Sequence, residues 1–222
     1  MSAEIPGGPR AGEAARTHAL AALRQAILSG DVAPGQRLVE EDLAGTLGVT
    51  RQSLRAALLD LTTEGLVERI PNRGARVRVI STEEAVAITE CRMVLEALCA
   101  AKAAERITDE EAAQLRELAG NLNRAVADHN PLKYSELNRE LHRRVGVLSG
   151  QKVALGLLDR LHGPLVRHQF QLALRPGRPE VSLDEHLAIL DAVAGRRPAD
   201  AEAAVRVHLA SVIKALADHN FD

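Results

Sequence analysis

The chain has 222 residues, of which 46% are apolar and 26% are charged, and its formal net charge is −2. These values are typical of a water-soluble globular protein with one or two domains. No apolar run approaches the roughly 20 residues that a membrane-spanning helix needs, and the N-terminus lacks the apolar segment of a secretory signal peptide. We therefore expect a cytoplasmic protein without a membrane partner.

The N-terminal part of the chain begins with a stretch that favours no regular structure. Residues 1–14 are rich in Gly, Pro and Ala and show no periodicity, which is typical of a flexible tail. Apolar residues then recur with helical spacing up to Gly30, where the first helix should end. The next predicted elements are a short strand at 37–39, a helix at 40–46 and a helix at 50–64 that Thr50 caps.

Two short segments that follow have the alternation of β-strands. Apolar and charged side chains alternate over residues 66–70 and again over 75–79, and a Pro-Asn-Arg-Gly turn separates them. This pattern predicts a β-hairpin. Residues 15–80 thus have the order helix, short helix, helix, hairpin, and we predict a winged helix-turn-helix domain.

The remainder of the chain, residues 81–222, predicts only helices. Ser81 or Thr82 should cap the first of them, Thr108 with Glu111 forms a capping box for the second, and Pro131 should begin the third.

Three more helices complete the predicted set. The fourth should occupy residues 151–174 and end before a Pro- and Gly-rich break. Ser182 with Glu185 offers a second capping box, for a fifth helix that ends at Gly195, and Pro198 should begin the sixth. Six helices without strands predict an all-α bundle.

Residues 40–61 have the helix-turn-helix pattern. Gly48 allows the tight turn, and apolar residues give both helices a buried face. The side chains left at the exposed N-terminal end of the second helix could meet base edges or phosphates. Arg can pair with guanine, Gln can pair with adenine, and Thr or Ser can contact a base or a phosphate. With the first strand and the hairpin tip, the predicted DNA contacts are Arg37, Thr50, Arg51, Gln52, Ser53, Arg55, Asn72, Arg73 and Gly74.

Local charge supports this interpretation although the net charge of the chain does not. Residues 50–80 contain six Arg against three acidic residues, a balance of +3. A DNA-binding protein needs only a local basic surface. The alternative is that Arg51 and Arg55 belong to an ordinary solvated helix face.

Residues 17–80 resemble the winged-helix domain of the GntR family of bacterial regulators. The resemblance is carried by AILSGDVAPGQRLVEEDLAGTLGVTRQSLRAALLDLTTEGLVER and PNRGARV. It implies binding to double-stranded operator DNA. One departure is Ala56-Ala57, where many members have Glu-Ala, but the DNA-facing Arg55 is retained.

Four residues of the helical region could together hold a metal ion. Asn138 and His142 stand at i and i+4 on one helix face, whereas His186 and His208 lie on the fifth and sixth predicted helices. Three imidazoles and an oxygen ligand inside a bundle suit Zn, Ni, Fe or Mn. The alternative is three buried histidines that are hydrogen-bonded and bind no metal.

Residues 83–215 resemble the six-helix FCD ligand-binding domain of the FadR-like subfamily. The matching stretches are CRMVLEALCAAKAAE, LNRELHRRV, SLDEHLAILDAV and AVRVHL. The resemblance implies a divalent metal held by one Asp and three His, which completes a pocket for a small organic acid. Here Asn138 stands at the Asp position, and an amide oxygen brings no negative charge, so metal affinity should fall.

The effector-binding residues are predicted mainly from the FCD resemblance. Arg92 and Glu96 at i and i+4 could be a surface ion pair, but the FCD resemblance implies that Arg92 faces the pocket and grips a carboxylate bidentately. The predicted effector-binding residues are Arg92, Glu96, Arg139 and Arg167.

The sequence therefore predicts a homodimeric regulator, most simply a repressor, whose two-fold symmetry matches a pseudo-palindromic operator. A DNA-binding dimer without metal or effector is the first alternative. A metal-dependent hydrolase with Glu185 or Glu140 as the base is a remote one, since no catalytic motif accompanies the histidines. We expect the protein not to be an enzyme.

Overall fold

The computed structural model describes residues 11–71, 74–173, 175 and 177–218. The chain divides into two compact units, Met1–Val79 and Ile80–Asp222. None of the helices in the described ranges is both long enough and apolar enough to cross a membrane.

The first unit is a winged helix-turn-helix, as the sequence predicts. Its described elements, in chain order, are α1 (Glu13–Ser29), β1 (Arg37–Leu38), α2 (Glu40–Leu47), α3 (Arg51–Thr63), β2 (Val67–Ile70) and β3 (Gly74–Val77). The three strands form one antiparallel sheet in the order β1-β3-β2. In its register Arg37 lies opposite Arg76, and Val67 lies opposite Val77.

The start of α1 corrects the expected tail, whose first ten residues lie outside the described ranges. Residues 13 and 14 were expected in the tail, but α1 begins at Glu13. Ala15 is buried in the core of the unit, and an acidic residue in the first turn favours a helix N-terminus. Packing and charge therefore extend the helix two residues earlier than composition predicts.

Two ion pairs join α1 to α3. Arg16 donates to both carboxylate oxygens of Asp60 at 2.7 Å, and Arg24 Nε donates to Glu64 Oε2 at 2.8 Å. Between them the apolar faces of the helices pack around Leu54 and Leu61, which are fully buried. This packing holds the recognition helix α3 on a rigid support.

The described part of the second unit is all-helical. Its helices are α4 (Thr82–Arg106), α5 (Asp109–Ala127), α6 (Pro131–Leu148), α7 (Lys152–Ala173), α8 (Arg178–Ala194) and α9 (Pro198–Ala217). The Thr108–Glu111 capping box is present, and Ser81 is the cap of α4. The core is aliphatic, and α4 packs along α9 and also contacts α6 and α7.

The predicted cap of the fifth helix in this unit is wrong. Helix α8 begins at Arg178, directly after Gly177 in a left-handed conformation (φ 79°), and Ser182 lies buried inside the helix. Pro179 in the first turn explains the earlier start, because its fixed φ suits a helix N-terminus and no N–H is needed there. The change places one more helical turn beside the histidines of α8 and α9.

Candidate functional site

The turn between α2 and α3 sets the direction of the recognition helix. Gly48 ends α2 in a left-handed conformation with φ 61°, which glycine adopts without strain. Thr50 then caps α3, because its Oγ1 accepts a hydrogen bond from the backbone N–H of Ser53 at 3.2 Å. The first turn of α3 is thereby fixed with Arg51 and Gln52 exposed at the surface of the unit.

The structure exposes most of the predicted DNA contacts in the described ranges but not all of them. Arg51, Gln52 and Arg55 are exposed at the start of α3, and Arg37 and Gly74 are exposed on the strands. Asn72 and Arg73 lie outside the described residues.

The expectation that Ser53 is exposed is wrong. Only 6% of Ser53 is accessible, and its hydroxyl lies 3.0 Å from Thr50 Oγ1. A residue at the third position of a capped helix turns toward the cap, so Ser53 supports the turn. Its position is that of a residue that stabilises the cap rather than one that reaches a base.

Acidic residues of α2 hold the two arginines of α3. Arg51 Nη2 lies 2.5 Å from Glu41 Oε1, and Arg55 Nε donates to Glu40 Oε2 at 2.6 Å. Such solvent-exposed pairs contribute about 1 kcal/mol or less. These two ion pairs therefore add little stability and do not bury either arginine.

The three histidines predicted as metal ligands converge in the helical unit. His142 comes from α6, His186 from α8 and His208 from α9, and one ring nitrogen of each lies within 4.8 Å of the others. His186 Nε2 and His208 Nε2 are 3.2 Å apart. Two nitrogens bound tetrahedrally to one ion at about 2.0–2.1 Å would stand about 3.3 Å apart, so the spacing fits a shared metal.

The other nitrogen of each imidazole contacts a polar side chain behind it. His142 Nδ1 lies 2.7 Å from Glu96 Oε2, and His208 Nδ1 lies 2.8 Å from Glu185 Oε2. His186 Nδ1 lies 2.9 Å from the hydroxyl of Tyr134. Metal-binding histidines are held this way, because a partner at one nitrogen fixes the ring and leaves the other available. The arrangement leaves Nε2 of His186 and Nε2 of His208 facing each other, with one ring nitrogen of His142 within 4.8 Å of the other two rings' ligand atoms.

Burial favours the neutral form of His186 and of His208. Burial and the charge of neighbouring histidines lower the pKa of His186 and of His208 well below the usual value. A neutral ring has the lone pair that a metal requires. Although burial opposes ionisation of Glu96, Arg92 and His142 lower its pKa well below the usual value, so this carboxylate is charged.

An arginine contacts each of the two backing carboxylates. Arg92 Nε donates to Glu96 Oε1 at 2.8 Å, and both side chains are buried. Arg178 Nη2 donates to Glu185 Oε2 at 3.3 Å, and its Nη1 donates to Ser211 Oγ at 2.6 Å. Two series of the form Arg–Glu–His therefore lead to the centre, one through His142 and one through His208.

Asn138 lies one helical turn before His142 on α6, at the i and i+4 spacing that places two residues on one helix face. In the described part of the chain, its buried Oδ1 has no hydrogen-bond partner. A buried amide oxygen without a partner costs about 1–3 kcal/mol, whereas a cation at the histidine centre would give this oxygen a partner. The donor set of three imidazoles and one amide oxygen fits a divalent metal.

The predicted effector residues have different surroundings. Arg92 and Glu96 are buried beside His142, but Arg92 is already engaged by Glu96. Arg139 is exposed, since it lies about 100° around α6 from Asn138, and the structure does not bring it to the centre. The side chain of Arg167 lies outside the described residues.

A small cavity adjoins the centre. Its walls include Glu96 and His142 together with apolar side chains such as Leu141, Leu158 and Ile189. It has room for about one water molecule. An organic acid can enter only if the surrounding side chains or helices move.

Sequence reasoning missed several neighbours of the centre. The sequence analysis assigned no role to Tyr134, Arg178 or His162. His162 Nε2 lies 4.0 Å from Glu96 Oε1. Position 134 stands eight residues before His142 on the same face of α6, a spacing that could have identified the tyrosine.

Comparisons with known proteins agree with this organisation. Residues 15–77 match the family described as bacterial regulatory proteins, gntR family, and residues 87–211 match the FCD domain. The HTH-type transcriptional repressor RspR of Escherichia coli (strain K12) is 26% identical over 190 residues, which cover 86% of this chain and 83% of that protein.

Two further relatives extend the comparison. The Nta operon transcriptional regulator of Aminobacter aminovorans is 32% identical over 178 residues, which cover 79% of this chain and 82% of that protein. The solved structure of E. coli McbR/YncC superposes with a TM-score of 0.79 at 20% identity, and covers 93% of this chain and 99% of that one. The structural likeness supports the fold.

Proposed function

Because the chain belongs to the GntR family of bacterial regulatory proteins and carries an FCD domain, we propose that a small organic acid controls its affinity for operator DNA. The family makes it a DNA-binding transcriptional regulator. The proposal adds that the acid binds at a divalent metal, which the three histidines and Asn138 hold. The observation that carries it is the convergence of three imidazoles whose second nitrogens all have buried partners.

Repression is the direction of control that we propose. RspR is named a transcriptional repressor, and so is the relative NanR of Cronobacter sakazakii, which is 27% identical over 217 residues. The acid must bind the DNA-competent and DNA-incompetent states with different affinity to shift the balance between them. Residues 79–82 join the two units and would carry this coupling.

We also propose that the regulator is a homodimer that binds a pseudo-palindromic operator. Large apolar side chains are exposed on α4 at Val94 and Leu98 and on α7 at Val153 and Leu157. Each immediately precedes a residue of the cluster in which α4 and α7 pack together. An exposed apolar surface of this kind is typical of a subunit interface, and a second copy of the chain would cover it.

Operator binding by the full-length chain tests the proposal. A duplex selected from a random-sequence pool is titrated by fluorescence anisotropy at fixed salt, with and without Zn²⁺, in the presence of small mono-, di- and tricarboxylates. We expect at least one acid to lower operator affinity only when Zn²⁺ is present. His208→Ala should abolish this response and keep DNA affinity, whereas the exposed control His129→Ala should keep both.

If no carboxylate alters operator affinity in either condition, effector control is wrong. The alternative of a DNA-binding dimer without metal or effector would then explain the chain better. If an acid acts equally without Zn²⁺ and on His208→Ala, the metal part of the proposal fails alone.

A further inference from the structure

The charges around the histidine centre cancel before any metal binds. The ligands are three imidazoles and the amide of Asn138, and none of these groups brings a negative charge. Glu96 is paired with Arg92, and Glu185 is paired with Arg178. Within the described residues, each carboxylate that touches a ligand histidine is therefore neutralised by its own arginine.

A divalent cation would add two positive charges to this buried neutral set. His186 and His208 are almost inaccessible to solvent, so little water can solvate the added charge there. Uncompensated charge is costly in a protein interior, and the cost is removed when an opposite charge lies next to it. An aspartate ligand would supply one negative charge, but an asparagine supplies none.

We propose that metal and anion bind to this centre interdependently, with an anionic ligand on the metal supplying the negative charge that Asn138 does not. The inference rests on the metal site proposed above and deepens it. The anion coordinates the metal directly, because three imidazoles and a weak amide ligand leave the positive charge of the metal uncompensated. A carboxylate is the chemical class that fits, since its oxygens suit a divalent ion held by nitrogen ligands.

Because of this dependence, the regulator would respond to the metal ion as well as to the acid. By reciprocity, an acid that raises metal affinity is itself bound more tightly when metal is present. The regulator would respond only when both are available. An aspartate at position 138 would remove that condition, because the metal would then be retained without the acid.

The test compares the full-length chain with Asn138→Asp, a nearly isosteric change that adds one negative charge. Zn²⁺ affinity is measured by chelator competition in sodium perchlorate and in sodium acetate at equal ionic strength, with free Zn²⁺ corrected for acetate binding. Acetate should raise the affinity of the unmodified chain about tenfold or more. Asn138→Asp should bind Zn²⁺ tightly in perchlorate, and acetate should change its affinity less than about threefold.

A spectroscopic measurement locates the anion. Co²⁺ replaces Zn²⁺, and acetate should change the visible absorption of the Co²⁺-loaded chain because it enters the coordination sphere. Asn123→Asp serves as the matched control, since Asn123 is exposed on α5. It should respond to acetate as the unmodified chain does.

The outcomes separate this inference from the metal site itself. If the unmodified chain binds Zn²⁺ with the same affinity in both salts, or if acetate leaves the Co²⁺ spectrum unchanged, interdependence is refuted and the metal site stands. If neither the unmodified chain nor Asn138→Asp binds Zn²⁺ in either salt, both the inference and the metal site are refuted.

Discussion

Replacement of Glu185 by glutamine isolates the contribution of one backing carboxylate. Glu185 Oε2 lies 2.8 Å from His208 Nδ1 and 3.3 Å from Arg178 Nη2, and the side chain is nearly buried. Glutamine keeps the shape and an accepting oxygen but removes the negative charge. The imidazole then becomes a weaker electron donor to a metal at its other nitrogen.

The size of the expected effect follows from the position of Glu185 directly behind a ligand. Loss of such a partner typically costs 10- to 100-fold in metal affinity, which corresponds to about 1.4–2.7 kcal/mol. Arg178 keeps its hydrogen bond to Ser211, so the helices around it should remain folded. We therefore expect a weaker metal site in an otherwise intact chain.

The assay is the Zn²⁺ dissociation constant of the full-length chain, with circular dichroism as the check on folding. Glu202→Gln is the matched control, because Glu202 lies on the same helix as His208 and its ion pair with Arg206 is exposed. A Glu185→Gln protein that binds Zn²⁺ within twofold of both the unmodified chain and the control would refute this reasoning.

Three other predictions concern DNA binding, pH and assembly. Arg51→Ala and Arg55→Ala should each weaken operator binding by about 1–3 kcal/mol at fixed salt, whereas Arg206→Ala on α9 should have no effect in the same anisotropy titration; unchanged affinity in both α3 variants would disprove the DNA interface. Because folding lowers the pKa of His162 to about 4 and lowers those of His186 and His208, the unfolded chain binds more protons below about pH 6.5. The free energy of unfolding in chelator should therefore fall between pH 7 and pH 5, and His18→Gln, an exposed control, should show the same slope; a free energy that is flat or rises over this interval would contradict the buried neutral imidazoles. Leu98→Glu should shift sedimentation toward the monomer, whereas Leu132→Glu, a change at another exposed leucine, on α6, should not; a dimer that persists in Leu98→Glu would rule out the α4–α7 surface as the interface.

The sequence alone could predict those neighbours in the histidine centre that lie on the same helix. Asn138 and His142 share a face because they are four residues apart, so a sequence pattern can pair them. The convergence of His186 and His208 on the same point depends on how α8 and α9 pack, which no local spacing determines. The sequence left this grouping as one of two alternatives, and the resemblance to a family favoured it.

The wrong predictions for the start of α8 and for the exposure of Ser53 also have physical causes. The Ser182–Glu185 pair satisfies a capping pattern, but Pro179 lets α8 begin a turn earlier. Ser53 follows Thr50 in the predicted exposed segment, yet the cap draws it inward. Arg178 reaches Glu185 from the first turn of α8, so its role became recognisable only when the true start of that helix was known.

We propose that three histidines from three helices hold one metal ion. Zinc X-ray absorption spectroscopy on the full-length chain, purified without an affinity tag and loaded with one equivalent of Zn²⁺, measures this directly. We expect three imidazole nitrogens at about 2.0–2.1 Å from the metal, and two in His142→Ala. A chain that retains no zinc, or a spectrum with fewer than three imidazoles in the unmodified protein, would contradict it.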